Sequence, residues 1–208
     1  NRNMKTATKR ADELKSLFKK VLKEFKPQPL QPMEPLTALV KGTLSYDVTD
    51  ERADQAMAAI EAEFTDLNEL RVATELEIQD IIGGRYPAGD ERASIITRSL
   101  NAIFEKEHTL SLDRLKTVRK TETRQFLRDL PGVNAFIEAY TMLFGFAANA
   151  IPVDQTLASH LIEAGIFEPE TPVDEIQKFC EHHLKAEESY EFYAAMRAAT
   201  ARSKKKGK

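Results

Sequence analysis

The sequence predicts an all-α protein of roughly ten helices, and three kinds of observation indicate this fold class. Apolar residues recur every three or four positions in successive segments, as in Leu14, Phe18 and Val21. Start and stop signals flank such segments; Thr74 and Glu77, for example, have the spacing of a capping box. Alternating β-branched runs with hairpin turns are absent from the sequence.

The helices follow one another closely along the chain. The first spans residues 9 to 26, has lysines on its polar face and ends at Pro27. Residues 27–35 hold four of the nine prolines and predict an extended connector. Later helices are predicted in PLTALVKGTLS, TDERADQAMAAIEAEF, ELEIQDII, GDERASIITRSLNAIFEKE, TETRQFLRDL, NAFIEAYTMLFGF, DQTLASHLIEAG, VDEIQKFCEHHLKA and ESYEFYAAMRAATAR. In the fourth of these, Asp90 is predicted to cap the helix and Phe104 to face inward. Pro172 is predicted to occupy the first position of the helix VDEIQKFCEHHLKA.

The composition of the 208 residues is that of a soluble globular protein, with 42% hydrophobic and 30% charged residues. The single cysteine, Cys180, excludes an internal disulfide and any site built from several thiolates. No apolar run approaches the roughly 20 residues that cross a bilayer, and no signal-peptide pattern opens the sequence. We therefore expect no membrane association and a cytoplasmic location, or a nucleoid-associated one if the protein binds DNA.

Charge is distributed unevenly along the chain, although the net charge is only −3. Residues 1 to 26 contain nine Lys/Arg and three Asp/Glu. Residues 192 to 208 contain six Lys/Arg and no Asp/Glu. Residues 27 to 191 hold 15 basic and 30 acidic residues. Basic ends are common as nucleic-acid contacts and equally common as solvated tails, whereas the acidic body is a candidate surface for a protein partner.

The stretch LPGVNAFIEAYTML, residues 130 to 143, predicts a tight turn between two helices. Pro131 ends one helix, Gly132 adopts positive φ readily, and Asn134 tolerates a left-handed conformation. Backbone N–H groups exposed at such a turn, at the start of the next helix, suit a phosphate oxygen. The candidate nucleic-acid-binding residues are Gly132, Val133, Asn134 and Ala135. The alternative is a plain αα-hairpin that binds only water.

Two further positions carry candidate chemistry. Asp154 begins the helix DQTLASHL, where it fits a helix N-cap with or without a catalytic role. His182 and His183 are adjacent and therefore point from different faces of a helix, with no cysteine or carboxylate at ligand spacing. No metal site is predicted.

The order of these segments resembles the helix-hairpin-helix DNA glycosylases of the endonuclease III family. LPGV, a following helix and then IPVDQTLASHL are similar to the family's LPGVGxK hairpin and its catalytic aspartate segment. Upstream, PLTALVKGTLSYDVTDERA and IIGGRYPAGDERASIITRSL resemble the family's first core helix with its S-x-Q-x-T-D segment and its IxxxGxxxxKAxxI helix pair. The resemblance covers about residues 34 to 185. It implies an all-α fold in two lobes that binds double-stranded DNA, with Asp154 as the catalytic carboxylate.

Several positions depart from the family pattern. The family's Schiff-base lysine aligns with Phe136, which precedes Asp154 by the family's spacing of 18 residues. Phenylalanine cannot form a Schiff base, so lyase activity is not expected. The family's glutamine that fills the gap in the base stack aligns with Asp47. The second glycine of the family's hairpin aligns with Asn134, and a small residue in the second helix of that hairpin aligns with Glu138. The four cysteines that bind the family's iron–sulfur cluster are missing, so no cofactor is expected.

The resemblance also places three aromatic residues where an extruded base would stack. Tyr46, Phe136 and Tyr140 are candidates for this base pocket, and Asp47 is the candidate for the group that enters the duplex. Aromatic residues at helical spacing equally fit a hydrophobic core.

Two functional hypotheses follow. The first, which the motif order favours, is a monofunctional DNA N-glycosylase of base excision repair in which Asp154 stabilises the developing positive charge on the sugar. The second, which the charge pattern favours, is a catalytically inactive member of the fold that binds DNA or a protein. The predicted organisation is a basic N-terminal helix (1–26), a Pro-rich connector (27–35), a glycosylase-like domain (36–191) and a basic C-terminal tail (192–208).

Overall fold

The structure, a computed structural model, describes residues 6 to 206, and of residues 203 to 206 it describes only the helical backbone. Within this range the chain forms helices and no strand, which confirms the predicted all-α class. The lysine side chains of the predicted C-terminal tail lie outside the described residues. The α-helices are α1 (Ala7–Glu24), α2 (Pro35–Ser45), α3 (Asp50–Glu63), α4 (Leu67–Val72), α5 (Glu75–Ile82), α6 (Gly89–Glu107), α7 (Lys120–Arg128), α8 (Ala135–Gly145), α9 (Gln155–Glu163), α10 (Val173–His183) and α11 (Ser189–Lys206), with short 3-10 helices at Asp113–Lys116 and Ala186–Glu188.

The chain folds into two compact units. One consists of Asn1–Leu30 and Asn149–Lys208, and it contains α1, α9, α10 and α11. Its core is built from the apolar faces of these helices, and the rings of Phe18 and Phe192 meet edge to face at 5.5 Å between centroids. The side chain of Arg202 on α11 forms an ion pair with Glu24 on α1.

The other unit, Gln31–Ala148, contains α2 to α8. The core of α2 to α6 includes the fully buried Leu44, Ile60 and Leu100. Helix α2 lies close to α8 because both carry glycine at the contact. A Cβ on Gly42 would lie 3.0 Å from Cδ1 of Tyr140, and a Cβ on Gly145 would lie 2.9 Å from the backbone Cα of Pro35.

Side-chain caps start several helices, and the cap at Thr74 is the one that the sequence predicts. Thr74 and Glu77 form the reciprocal capping box of α5, and this helix ends at Gly83 with a φ of 100°. Thr6 caps α1 and Thr49 caps α3 without a capping box, and each side chain accepts the backbone N–H of the residue three positions on. These caps satisfy N–H groups that a helix cannot pair internally.

Four details differ from the sequence-based expectations. Helix α4 was not predicted, because its six residues are too few to show a period. Asp90 is not a cap: α6 begins one residue earlier, after Ala88 in the left-handed region. The side chain of Phe104 is partly exposed, under the guanidinium of Arg71 at 4.1 Å. Pro172 is the N-cap of α10, one position before its predicted place.

None of the helices that the structure describes is long and apolar enough to cross a membrane.

Candidate nucleic-acid interface

The predicted hairpin is present between α7 and α8. The N–H of Val133 donates to the carbonyl of Leu130 at 3.3 Å, which closes the turn. Gly132 has a φ of 76°, and a Cβ at this position would lie only 2.7 Å from Cγ1 of Ile95. Both the backbone conformation and the contact with α6 therefore require glycine.

Asn134 has a different role from the one predicted. Its φ is −92°, so the backbone is extended rather than left-handed, and its side-chain oxygen accepts the N–H of Ile137 at 2.9 Å. Asn134 is thus the N-cap of α8. The prediction was wrong because the left-handed residue of this turn is Gly132 and the next helix needs a cap immediately afterwards.

The hairpin exposes backbone donors to solvent. Gly132, Asn134 and Ala135 are exposed, and the N–H groups of Gly132 and Asn134 have no acceptor among residues 6 to 206. Val133 is half-buried and its N–H is used within the turn. The donors lie at the N-terminus of an 11-residue helix, where the helix dipole favours an anion.

Glu138 joins the two arms of the hairpin. Its side chain is 3% exposed, and it accepts hydrogen bonds from Nη1 of Arg124 at 3.1 Å and from Nε of Arg128 at 2.8 Å. Both arginines lie on α7, whereas Glu138 lies on α8. The carboxylate of Glu138 is therefore neutralised within the hairpin, and the two arginines together with Glu138 carry a net positive charge.

The predicted base-pocket residues form an aromatic cluster. Phe136 and Tyr140 are both 4% exposed. Their ring centroids are 6.0 Å apart, the ring of Tyr46 lies 6.3 Å from that of Phe136, and the ring of Phe144 lies 4.4 Å from that of Tyr140. The rings pack against one another, which is the core-like arrangement that the sequence left open.

An arginine that sequence reasoning missed holds the segment around Tyr46. Arg92 is 1% exposed and donates to the carbonyls of Thr43, Tyr46 and Pro87, each at 2.7 Å. Its guanidinium also lies 3.7 Å from the centroid of the Tyr46 ring. Burial lowers the pKa of Arg92 and raises the pKa of the Tyr46 phenol.

The position of Arg92 contained a usable signal. Arg92 precedes Ile95 and Ile96 by three and four residues, and therefore falls on the buried stripe of α6. A charged residue on such a stripe has to find partners. Two of those partners are the carbonyls of Thr43 and Tyr46 at the C-terminal end of α2, just before exposed Asp47, which adopts a φ of 54°, and the third is the carbonyl of Pro87 in the turn before α6.

Asp154 is the N-cap of α9, as the sequence allowed. One side-chain oxygen accepts the N–H of Leu157 at 2.9 Å, and the other accepts Nη1 of Arg197 at 3.0 Å. The side chains of Asp154 and Arg197 are 2% and 7% exposed, so this is a buried ion pair within the unit that contains α9 and α11. Sequence reasoning missed Arg197, which lies 43 residues away on a helix assigned to the basic C-terminal tail.

Metal ligands do not converge in the described part of the chain. Among residues 6 to 202, whose side chains are described, no group of three His, Cys, Asp or Glu side chains could hold an ion. Cys180 is fully buried, and this single thiol cannot supply the several thiolates of a cysteine-bound cluster.

Comparisons with known proteins define the fold. No protein-family model matches the sequence, and no curated protein matches it. The chain is similar in structure to endonuclease III in a trapped covalent complex with DNA (TM-score 0.73, 18% identity, 93% of this chain and 85% of that one). It is also similar to the Clostridium acetobutylicum 8-oxoguanine glycosylase/lyase bound to double-stranded DNA (TM-score 0.73, 16% identity, 96% of this chain and 71% of that one). A third similar structure is that of the H. pylori 3-methyladenine DNA glycosylase (TM-score 0.67, 16% identity, 96% of this chain and 99% of that one).

The chain therefore has the endonuclease III-like fold of the helix-hairpin-helix DNA glycosylases, as predicted. The identities of 16% to 18% establish the fold alone.

Proposed function

We propose that this protein binds duplex DNA through the hairpin and does not cleave the glycosidic bond. The observation that carries this proposal is the buried ion pair between Asp154 and Arg197. Asp154 is the only residue that matches the catalytic set of the family, and both of its oxygens already have partners inside the protein.

The energy of the ion pair argues against a catalytic role for Asp154. A carboxylate that assists glycosidic cleavage has to lie against the sugar. Breaking a buried ion pair costs about 3–5 kcal/mol, which would slow a reaction by roughly two to nearly four orders of magnitude. Phe136 adds to the argument, because it removes the amine of the lyase reaction and fills its position with a buried ring.

The hairpin supports DNA binding independently of catalysis. Its donors at Gly132 and Asn134 are exposed, and Glu138 holds its two helices together through Arg124 and Arg128. The proteins with similar folds include an endonuclease III and an 8-oxoguanine glycosylase/lyase that were solved in complexes with DNA.

The DNA-binding part of the proposal is tested with two variants of the capping residue. Asn134→Asp keeps an N-cap side chain but places a negative charge where a phosphate would bind, whereas Asn134→Ser keeps the cap without the charge. We expect Asn134→Asp to weaken binding to an undamaged duplex roughly tenfold, since repulsion between adjacent charges at the surface is worth one to a few kcal/mol. Asn134→Ser should bind within about threefold of the unmodified protein. Equal binding by all three proteins would remove the hairpin from the interface.

A second candidate function is the monofunctional DNA N-glycosylase, and the position of Asp154 at the start of α9, 18 residues after Phe136, favours it. Duplexes carrying uracil, alkylated bases or oxidised bases are incubated with the protein and then treated with alkali. The proposal expects no strand breaks at abasic sites. Breaks made by the unmodified protein but not by Asp154→Asn would establish the glycosylase instead. A borohydride trap should capture no covalent adduct in either case.

A third candidate function is the binding of another protein. Residues 27 to 191 carry twice as many acidic as basic residues, which is unusual for a duplex-binding surface. Absence of any duplex binding at low salt would reject the proposal and favour a protein-binding module.

A further inference from the structure

Three lysines form a row on the exposed face of α1. Lys15, Lys19 and Lys23 follow one another at intervals of four residues, and all three are exposed. Another face of α1 is buried through Leu14 and Phe18. Intervals of four residues place the lysines on one side of the helix over about 12 Å. We call these residues the lysine row.

The members of the lysine row have no ion-pair partner among the described side chains, those of residues 6 to 202. Lysines elsewhere behave differently: Lys116 pairs with Asp113 at 2.7 Å, and Lys41 pairs with Asp54 at 2.7 Å. A like-charge pair at i,i+4 destabilises a helix by about 0.2–0.5 kcal/mol, so the row imposes a cost on α1.

The surroundings of the row are also positive. Lys20 is exposed beside it, and Asp12 is the carboxylate nearest to it along the same face, at its N-terminal end. The pKa of His183 on α10 is lowered by burial and then by the charges of His182 and Lys15, the first member of the row.

We propose that the lysine row is a second DNA-binding surface, which contacts consecutive phosphates of the duplex backbone without reading the bases. This inference rests on the proposed function, since it assigns a further part of the chain to the same ligand. Each ammonium acts as a point charge on a flexible four-carbon stem, which suits phosphate contacts but not base recognition.

The dimensions of the row agree with this ligand. One DNA strand carries a phosphate for every 3.4 Å or so of helix axis, and a row of about 12 Å therefore faces roughly three to four of them.

The test compares the salt dependence of binding for two charge-matched triple variants. In one, Lys15, Lys19 and Lys23 are all replaced by Gln. In the control, three exposed cations on other helices and turns are replaced by Gln, namely Arg85, Lys106 and Lys178. Binding to an undamaged fluorescent duplex is measured by anisotropy at several salt concentrations, and circular dichroism checks that both variants remain folded.

We expect the lysine-row variant to lose affinity by about 500-fold at 0.1 M salt and its salt slope to fall by about 2.7 units, because each of the three phosphate contacts contributes roughly 0.9 unit. The control variant should change the slope by less than one unit. Replacement of the three lysines by arginine should restore binding, because the charge is retained. Equal effects in the two triple variants would show that only net charge matters and would overturn the proposal.

The outcomes also separate this inference from the proposed function. If Asn134→Asp weakens binding and the lysine-row variant does not, the hairpin function stands and the lysine row is excluded. The reverse result supports the row and rejects the hairpin. If the unmodified protein binds vesicles of phosphatidylserine and phosphatidylcholine more tightly than duplex DNA at equal ligand charge, the row is a membrane surface and the proposal is wrong.

Discussion

Replacement of Arg197 by Met tests whether Asp154 is held as a buried structural carboxylate. The two side chains are 7% and 2% exposed and meet at 3.0 Å. Removing the arginine leaves a negative charge without its ionic partner inside the protein, which costs about 3–5 kcal/mol. In a protein of this size each kcal/mol lowers Tm by about 2–4 °C, so we expect a loss of roughly 6–20 °C.

The double variant Asp154→Asn, Arg197→Met is the informative comparison. Asn keeps the N-cap that Leu157 requires, and neither of the two replaced side chains carries a charge. Its stability should recover to within about 1 kcal/mol of the unmodified protein, because well-packed neutral residues often replace a buried ion pair at little cost.

Arg202→Met is the matched control, because Arg202 also lies on α11 but pairs with Glu24 where both side chains are about half exposed. An exposed ion pair contributes about 0–1 kcal/mol. Unfolding in urea is followed by far-UV circular dichroism for all four proteins. If Arg197→Met costs no more than Arg202→Met, Asp154 is not constrained in the way we describe, and the argument against its catalytic role fails.

Three further predictions concern other positions. Gly132→Ala should destabilise the protein by about 1–3 kcal/mol in urea unfolding, because the backbone conformation with a φ of 76° is unfavourable for alanine; an unchanged midpoint would contradict the turn geometry. Thr74→Ala should cost about 1 kcal/mol at neutral pH through loss of the α5 cap. Hydrogen bonds from Thr74 lower the pKa of Glu77, so the stability that this carboxylate contributes is present above its usual pKa of 4.5 and is lost as the pH falls. The difference in unfolding free energy between the unmodified protein and Thr74→Ala should therefore become smaller in acid. The fully buried Cys180, whose pKa is raised by burial, should react with a thiol reagent only when the protein is unfolded in urea; rapid reaction of the native protein would contradict its burial.

Local patterns were sufficient to predict most of the fold. The capping box at Thr74 and Glu77, the helix end at Gly83 and the turn at Gly132 depend on residues close together in sequence, and the structure contains all of them. Helix α4 escaped prediction because six residues do not display a helical period.

The decisive contacts of the candidate site were beyond the reach of local patterns. Arg197 meets Asp154 across 43 residues, and Arg92 meets the carbonyl of Thr43 across 49. A sequence pattern locates an aspartate at the start of a helix, but the charge that neutralises it depends on tertiary packing. The ion pair of Asp154 therefore could not be predicted from the sequence.

The three hydrogen bonds of Arg92 have a consequence for how the unit formed by Gln31–Ala148 opens. A single guanidinium binds the end of α2 and the turn before α6, so neither segment can unfold locally without leaving buried polar groups unpaired. Amide hydrogens of α2 and of the first half of α6 should consequently exchange with deuterium in one concerted step rather than by separate fraying.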